Sequence, residues 1–168
     1  RGMNLILIAF NRWLVAVTAA IAALQRFLAQ YPSGAKAATA TFYLAESLRA
    51  TGRLESAADY YQKAVRMGSS PSQEDALAAY ASINYDLQHF RQAMDAYEEL
   101  IGLTRSDSVR QQAYIGLMRS AFGAKDYAAA IRSAQVVGTR EARFLMAKSY
   151  RTQGDRPKAR ELFEELAS

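Results

Sequence analysis

A pattern of small and aromatic residues returns four times along the chain at near-constant spacing. Leu44-Ala45, Gly52-Arg53-Leu54, Ala57, Tyr61 and Ala64 set the frame. Tyr80-Ala81, Gln88-His89-Phe90, Ala93, Tyr97 and Leu100 repeat it. It returns at Leu117-Met118, Lys125-Asp126-Tyr127, Ala130, Ala134 and Val137, and again at Met146-Ala147, Gly154-Asp155-Arg156, Ala159, Phe163 and Leu166. The anchor alanines Ala57, Ala93, Ala130 and Ala159 are 36, 37 and 29 residues apart. Self-similarity at such a period marks a supersecondary unit that cannot bury its apolar face alone and must stack on its neighbours. The apolar residues within each unit fall at helical spacing. The expected fold class is therefore all-α, an α–α superhelix: a right-handed solenoid of antiparallel helical hairpins. A single domain over 1–168 is expected. It divides into an N-terminal or partial hairpin (1–34) and four repeats (35–70, 71–105, 106–138 and 139–168).

Each hairpin carries its own boundary signals. In the first, Pro32-Ser33-Gly34 links to a helix bearing Phe42, Leu44, Ala45 and Leu48. Gly52 ends that helix, because glycine accepts the positive φ of a helix C-terminus. A second helix over about 54–67 presents Leu54, Ala57, Tyr61, Ala64 and Val65 as one stripe. Small residues at Ala45 and Ala57 permit close approach of the two helices. Ser70-Pro71-Ser72 announces the next hairpin, with helices over 73–87 and 90–103. Asp107 or Ser106 is expected to cap a helix over 108–123, followed by one over 127–137. The short link Gly138-Thr139 accounts for the 29-residue spacing and should shorten the helix before it. Helices over 140–152 and 156–166 complete the series, with Pro157 in a first turn, where a missing N–H costs little.

The stretch Met3 to Leu24 is nearly all apolar, and three readings of it compete. It is long enough for a transmembrane helix, but Asn11 and Arg12 sit at its centre, where charge is costly. A signal peptide would want a basic start and a small-residue cleavage site. In the third reading residues 16–30 are the second helix of an earlier hairpin, since Ala20 lies 37 residues before Ala57. Asn11-Arg12 then marks the inter-helix turn, or the whole stretch is one long helix. The third reading is preferred. A frame that opens inside a repeat implies a longer native chain. The apolar side of this helix then needs an upstream repeat, a second copy or a membrane.

Composition removes several function classes. The chain has no cysteine, which excludes disulfides, thiolate metal sites and cysteine nucleophiles. Its net charge of +5 is interrupted by residues 71–105, which carry a net −4. No continuous basic stripe or aromatic nucleic-acid motif accompanies the charge, so nucleic-acid binding is not expected. His89, the only histidine, reads as an exposed turn residue. No catalytic triad, metal-binding helix motif or phosphate loop is present. Glu98-Glu99 and Glu161, Glu164 and Glu165 read as solvated helix faces. Tyr43, Tyr60, Tyr61 and Tyr85 read as packing residues with wet hydroxyls. No enzyme activity, cofactor or metal is expected.

These residues resemble the tetratricopeptide repeat. The small and aromatic positions of that family match Ala45, Gly52, Ala57, Tyr61 and Ala64, then Ala81, Phe90, Ala93 and Tyr97, and then Tyr127 and Ala130. They match again at Ala147, Tyr150, Gly154, Ala159 and Phe163. Gln88 and Lys125 depart from a preferred glycine and Ala134 from an aromatic, and most repeat-ending prolines are missing. The segment from Phe27 to Ala35 with Phe42 to Glu46 is similar to repeats of bacterial cell-envelope proteins, such as the periplasmic partner of the Tol–Pal system and outer-membrane assembly lipoproteins. Glu141 to Phe144 with Ala147-Lys148 is similar to large multi-repeat proteins of Bacteroidetes. This resemblance implies a Gram-negative periplasm or envelope, with the cytoplasm as the alternative.

The family resemblance implies that the first helices line a concave groove that grips a protein or peptide. Carried onto this frame, the groove residues are Phe42, Glu46 and Arg49, then Tyr85, Arg119 and Phe122, and finally Phe144, Lys148 and Arg151. Glu141 belongs to the wider set. Aromatic and arginine anchors dominate interface energies, so a peptide with apolar anchors and acidic groups would suit them. The alternative is that the aromatics pack on neighbouring helices and the cations are solvated. The family's carboxylate clamp finds no support, since its positions hold Phe42, Glu46 and Ala79. The expected function is a non-catalytic interaction scaffold, in envelope assembly. The second reading is a structural segment of a larger repeat protein, self-associating as a homodimer through its apolar N-terminal helix. An accessory domain of an enzyme or sensor is a third. Membrane association is expected only through that same helix.

Overall fold

The computed structural model of the chain describes residues 2–68 and 72–167, with side chains from residue 6 onward. The expected hairpin boundary at Ser70-Pro71 lies outside the described residues. Nine α-helices and no strand occur among the described residues: α1 (Gly2–Gln30), α2 (Ala35–Ala50), α3 (Leu54–Arg66), α4 (Gln73–Asp86), α5 (Phe90–Leu103), α6 (Asp107–Gly123), α7 (Tyr127–Val137), α8 (Arg140–Gln153) and α9 (Arg156–Ala167). They fall into two compact units, one up to Ala79 and one from Tyr80. Links of a few residues make consecutive helices antiparallel neighbours.

In the first unit α2 packs on both α1 and α3. Leu44, Ala45, Ala57 and Tyr61 are sealed from solvent. Alanine at both contact positions brings the helix axes close, and Tyr61 fills the remaining space as the largest fully buried side chain. The expectation that its hydroxyl stays wet is corrected, because it donates a hydrogen bond to Glu46 Oε1.

The N-terminal stretch is one continuous helix, the second of the two forms expected for it, so no turn forms at Asn11-Arg12. Arginine is a good helix former, and neither residue is flanked by a glycine or proline that would stop the helix. Ala20 is also exposed, and Ile21 is the buried residue that docks α1 onto α2. The small position of the repeat serves close approach within a hairpin, and an unbroken α1 has no hairpin turn of its own.

In the second unit α5, α6, α7, α8 and α9 pack in sequence, each on the next. Met94, Leu117, Ala121, Ala129 and Ala130 form one core cluster, and Met118, Ala134, Val137 and Ala142 another. All four anchor alanines of the repeat are buried across the two units. The α7–α8 link is closed by Gly138 at φ 66°, and Thr139 Oγ1 accepts from Ala142 N–H. The helix before this link has 11 residues, shorter than α3, α5 and α9. Ser106, one of the two expected caps, accepts from Val109 N–H.

Four turns share one geometry. The helix ending before each is closed by two backbone hydrogen bonds: Gly52 to Arg49 and Arg53 to Leu48, Gln88 to Tyr85 and His89 to Asn84, Lys125 to Phe122 and Asp126 to Ala121, Gly154 to Arg151 and Asp155 to Tyr150. This is the Schellman arrangement, which places one residue in the left-handed region. That residue is Gly52 (φ 78°) and Gly154 (φ 88°) in two turns, but Gln88 (φ 60°) and Lys125 (φ 62°) in the others.

Candidate functional site

The sequence-derived groove residues occupy first helices in both units. In the first unit Phe42, Glu46 and Arg49 lie on α2, about one turn apart. Phe42 is half-buried, its ring 6.0 Å from Tyr61 and 5.4 Å from Tyr43. Glu46 accepts the Tyr61 hydroxyl proton in a hydrogen bond. Burial pushes the pKa of that hydroxyl well above its ordinary value; Glu46 raises it further, and Arg49 pulls it partly back. These α2 side chains therefore join α2 to α3. An adjoining apolar groove of about 490 Å³ is lined by Leu24 and Phe27 of α1 with Lys36, Thr39, Ala40 and Tyr43 of α2.

In the second unit Phe122, Lys148, Phe144 and Arg151 are linked in one array through Phe163, beside two separate contacts, Arg119 with Glu141 and Tyr85 with Phe90. Arg119 on α6 makes a bidentate pair with Glu141 on α8, Nε to Oε1 at 2.8 Å and Nη2 to Oε2 at 2.7 Å. That hydrogen bonding raises Arg119 and lowers Glu141 from their ordinary values. Two planar groups in this geometry satisfy each other, so Arg119 is a strut between alternate helices. Phe122 meets Tyr127 edge-on at 5.8 Å, and Tyr85 meets Phe90 edge-on at 5.7 Å. The Lys148 ammonium lies 5.1 Å from the Phe122 ring centre and 5.4 Å from that of Phe144. Phe144 is 47% exposed and packs edge-on to Phe163 at 6.1 Å. The Arg151 guanidinium lies 5.9 Å from the Phe163 ring. Ring faces hold these two cations by their quadrupoles, and among the described residues neither forms an ion pair with a carboxylate.

The second-helix aromatics Phe90, Tyr127 and Phe163 pack on the candidate residues, a pairing that the sequence reading, which placed them only as repeat positions, missed. A signal for them exists. Tyr85 to Phe90 and Phe122 to Tyr127 are both five residues apart across a turn, and Phe42 to Tyr61 and Phe144 to Phe163 are both nineteen apart. Each hairpin thus pairs one aromatic from each of its helices.

His89 is an exposed residue that precedes α5 without capping it by its side chain. Among the described residues no group of three histidine, aspartate or glutamate side chains could hold a metal ion.

Comparison with known proteins places this architecture. Tetratricopeptide-repeat models match residues 17–82 and 141–168. No curated protein matches the chain in sequence. The fold is similar to the crystal structure of MamA protein, at 20% identity and TM-score 0.72, over 94% of this chain and 85% of that one. It is similar to YrrB, described as a TPR protein with an unusual peptide-binding site, at 18% identity and TM-score 0.71, over 95% and 82%. The TPR-like repeats of a kinesin light chain from Podosopora anserina align at 17% identity and TM-score 0.66, over 94% and 89%. At these identities the likeness concerns the fold. With four repeat frames and the sequence models in agreement, the chain belongs to the tetratricopeptide repeat family.

Proposed function

We propose that the chain is a non-catalytic scaffold that binds a peptide or protein partner on the first-helix face of its second unit. The repeat fold supports an interaction scaffold in general. The site rests on one observation: Phe144, Lys148 and Arg151 form an aromatic and cationic surface in which the apolar ring is exposed and, among the described residues, the charges are not paired to carboxylates. An exposed ring beside two cations favours a ligand that offers an apolar side chain next to a carboxylate. Phe42, Glu46 and Arg49 serve the α2–α3 hairpin in this reading, and Arg119 orients α6 and α8 through Glu141. The likeness of residues 27–35 to envelope repeats supports a role in envelope assembly of a Gram-negative bacterium.

The test is selection of a random peptide library on the intact chain and on a Phe144→Ser/Arg151→Glu variant of equal helicity. Enrichment of peptides with an aromatic or aliphatic residue next to Asp or Glu, lost on the variant, is the expected result. Equal enrichment on both proteins would remove this face from consideration. Cell fractionation of the source bacterium checks the envelope assignment separately, with recovery in the cytoplasm as the opposing result.

A further inference from the structure

The first half of α1 has no place in the packing described above. Ile6, Leu7, Ile8, Phe10, Trp13, Leu14 and Val15 are all exposed, from 37% at Leu14 to 71% at Ile6. At 100° per residue these positions span about 220° of the helix, wider than one stripe, and Ala9 and Ala16 fall in the remaining arc with Arg12. A stripe is covered by one protein surface, whereas a helix that is apolar on every side is buried in a large core or in lipid. Ile6–Gln30 is long and apolar enough to cross a membrane, yet almost none of it is buried in the protein. Packing within the described residues does not account for its composition.

Charge points the same way. The chain has no Asp or Glu before Glu46, whereas Arg12, Arg26 and Lys36 fall within that span. All three are exposed. Arg26 and Lys36 flank the link between α1 and α2. Arg12 lies inside the apolar stretch, and its long stem can carry the guanidinium toward the interface. Lysine and arginine near a membrane surface are attracted to anionic lipid.

We infer that the N-terminal half of α1 inserts into an anionic phospholipid bilayer and tethers the repeat units to it. This inference is independent of the peptide-binding face, because no residue is shared. The test is flotation of the full chain with vesicles of phosphatidylglycerol and phosphatidylethanolamine, with phosphatidylcholine vesicles for comparison. An Ile6→Asp/Val15→Asp variant is run in parallel, and both proteins are checked for helicity by circular dichroism. Both substituted positions are largely exposed, at 71% and 69%, so little packing is lost in the variant. Expected is co-flotation with the anionic vesicles, a several-fold weaker signal on phosphatidylcholine, and at least a tenfold loss for the variant. Failure of the unsubstituted chain to float, or equal flotation of both proteins, overturns the inference. A dimer that sediments without lipid and does not float would assign the helix to a second copy instead.

Discussion

Replacing Gln88 and Lys125 by glycine should stabilise the second unit, although glycine usually weakens helical structure. Both residues sit at φ near +60° in the turn that closes a first helix. A side chain at that conformation crowds the following carbonyl and costs about 1–2 kcal/mol. Glycine removes that cost but adds unfolded-state freedom worth about 0.5–1 kcal/mol. The net gain is about 0.5–1 kcal/mol at each site. The backbone hydrogen bonds from Gln88 to Tyr85 and Lys125 to Phe122 do not involve the side chains, so they survive. The two turns are separated by α5 and α6, and distant substitutions add. Urea unfolding of the double variant followed by circular dichroism should therefore show a midpoint about 0.5 M or more above the parent. Gly52→Ala and Gly154→Ala should move the midpoint down, because the same conformation then carries a Cβ. A double glycine variant that unfolds at lower urea would refute the assignment of a left-handed residue at these turns.

Further outcomes follow from specific contacts. Asp126→Ala removes the acceptor for Ala129 N–H at 3.0 Å and should cost about 1 kcal/mol, and His89→Asp at the uncapped equivalent should gain about as much; thermal melts read both. Gly116→Ala would place a Cβ 2.2 Å from the Tyr97 ring and should cost about 1–3 kcal/mol, recovered in part by Tyr97→Ala. Arg119→Ala should cost about 1 kcal/mol or less, since both side chains of its pair are nearly half exposed, and should leave peptide selection intact. Tyr61 is held neutral in the fold, with its hydroxyl raised above the ordinary value of 10.0 by burial and by Glu46. Its contribution is complete below pH 10 and falls as pH rises above it, so alkaline unfolding should be less steep in Tyr61→Phe.

Much of the fold was legible because the repeat writes the same physics four times. Buried alanines at 57, 93, 130 and 159 and glycines at 52 and 154 are required by close helix approach and by left-handed turns. Those constraints are local and visible in residue type. Gln88 and Lys125 were visible only as departures from a glycine preference, and the structure keeps the turn by straining them. Of the two forms expected for the N-terminal stretch the long helix formed and the turn at Asn11-Arg12 did not, because polarity alone does not break a helix where no breaker residue stands. At the candidate site the sequence located Arg119 but not its engagement. The Arg119–Glu141 pair spans 22 residues and depends on how α6 meets α8, which no local pattern encodes. The same holds for Lys148 against Phe122, 26 residues away, whereas its contact with Phe144, one turn back on α8, is local.

The central claim is that a partner binds the exposed first-helix face of the second unit. The most direct measurement is site-specific photo-crosslinking in an envelope extract, with p-benzoylphenylalanine placed at Phe144 on α8 or at Val136 on α7, which is similarly exposed at 51%. The account predicts a discrete adduct from position 144 that is absent from position 136. Adducts of equal yield from both positions, or from 136 alone, would contradict it.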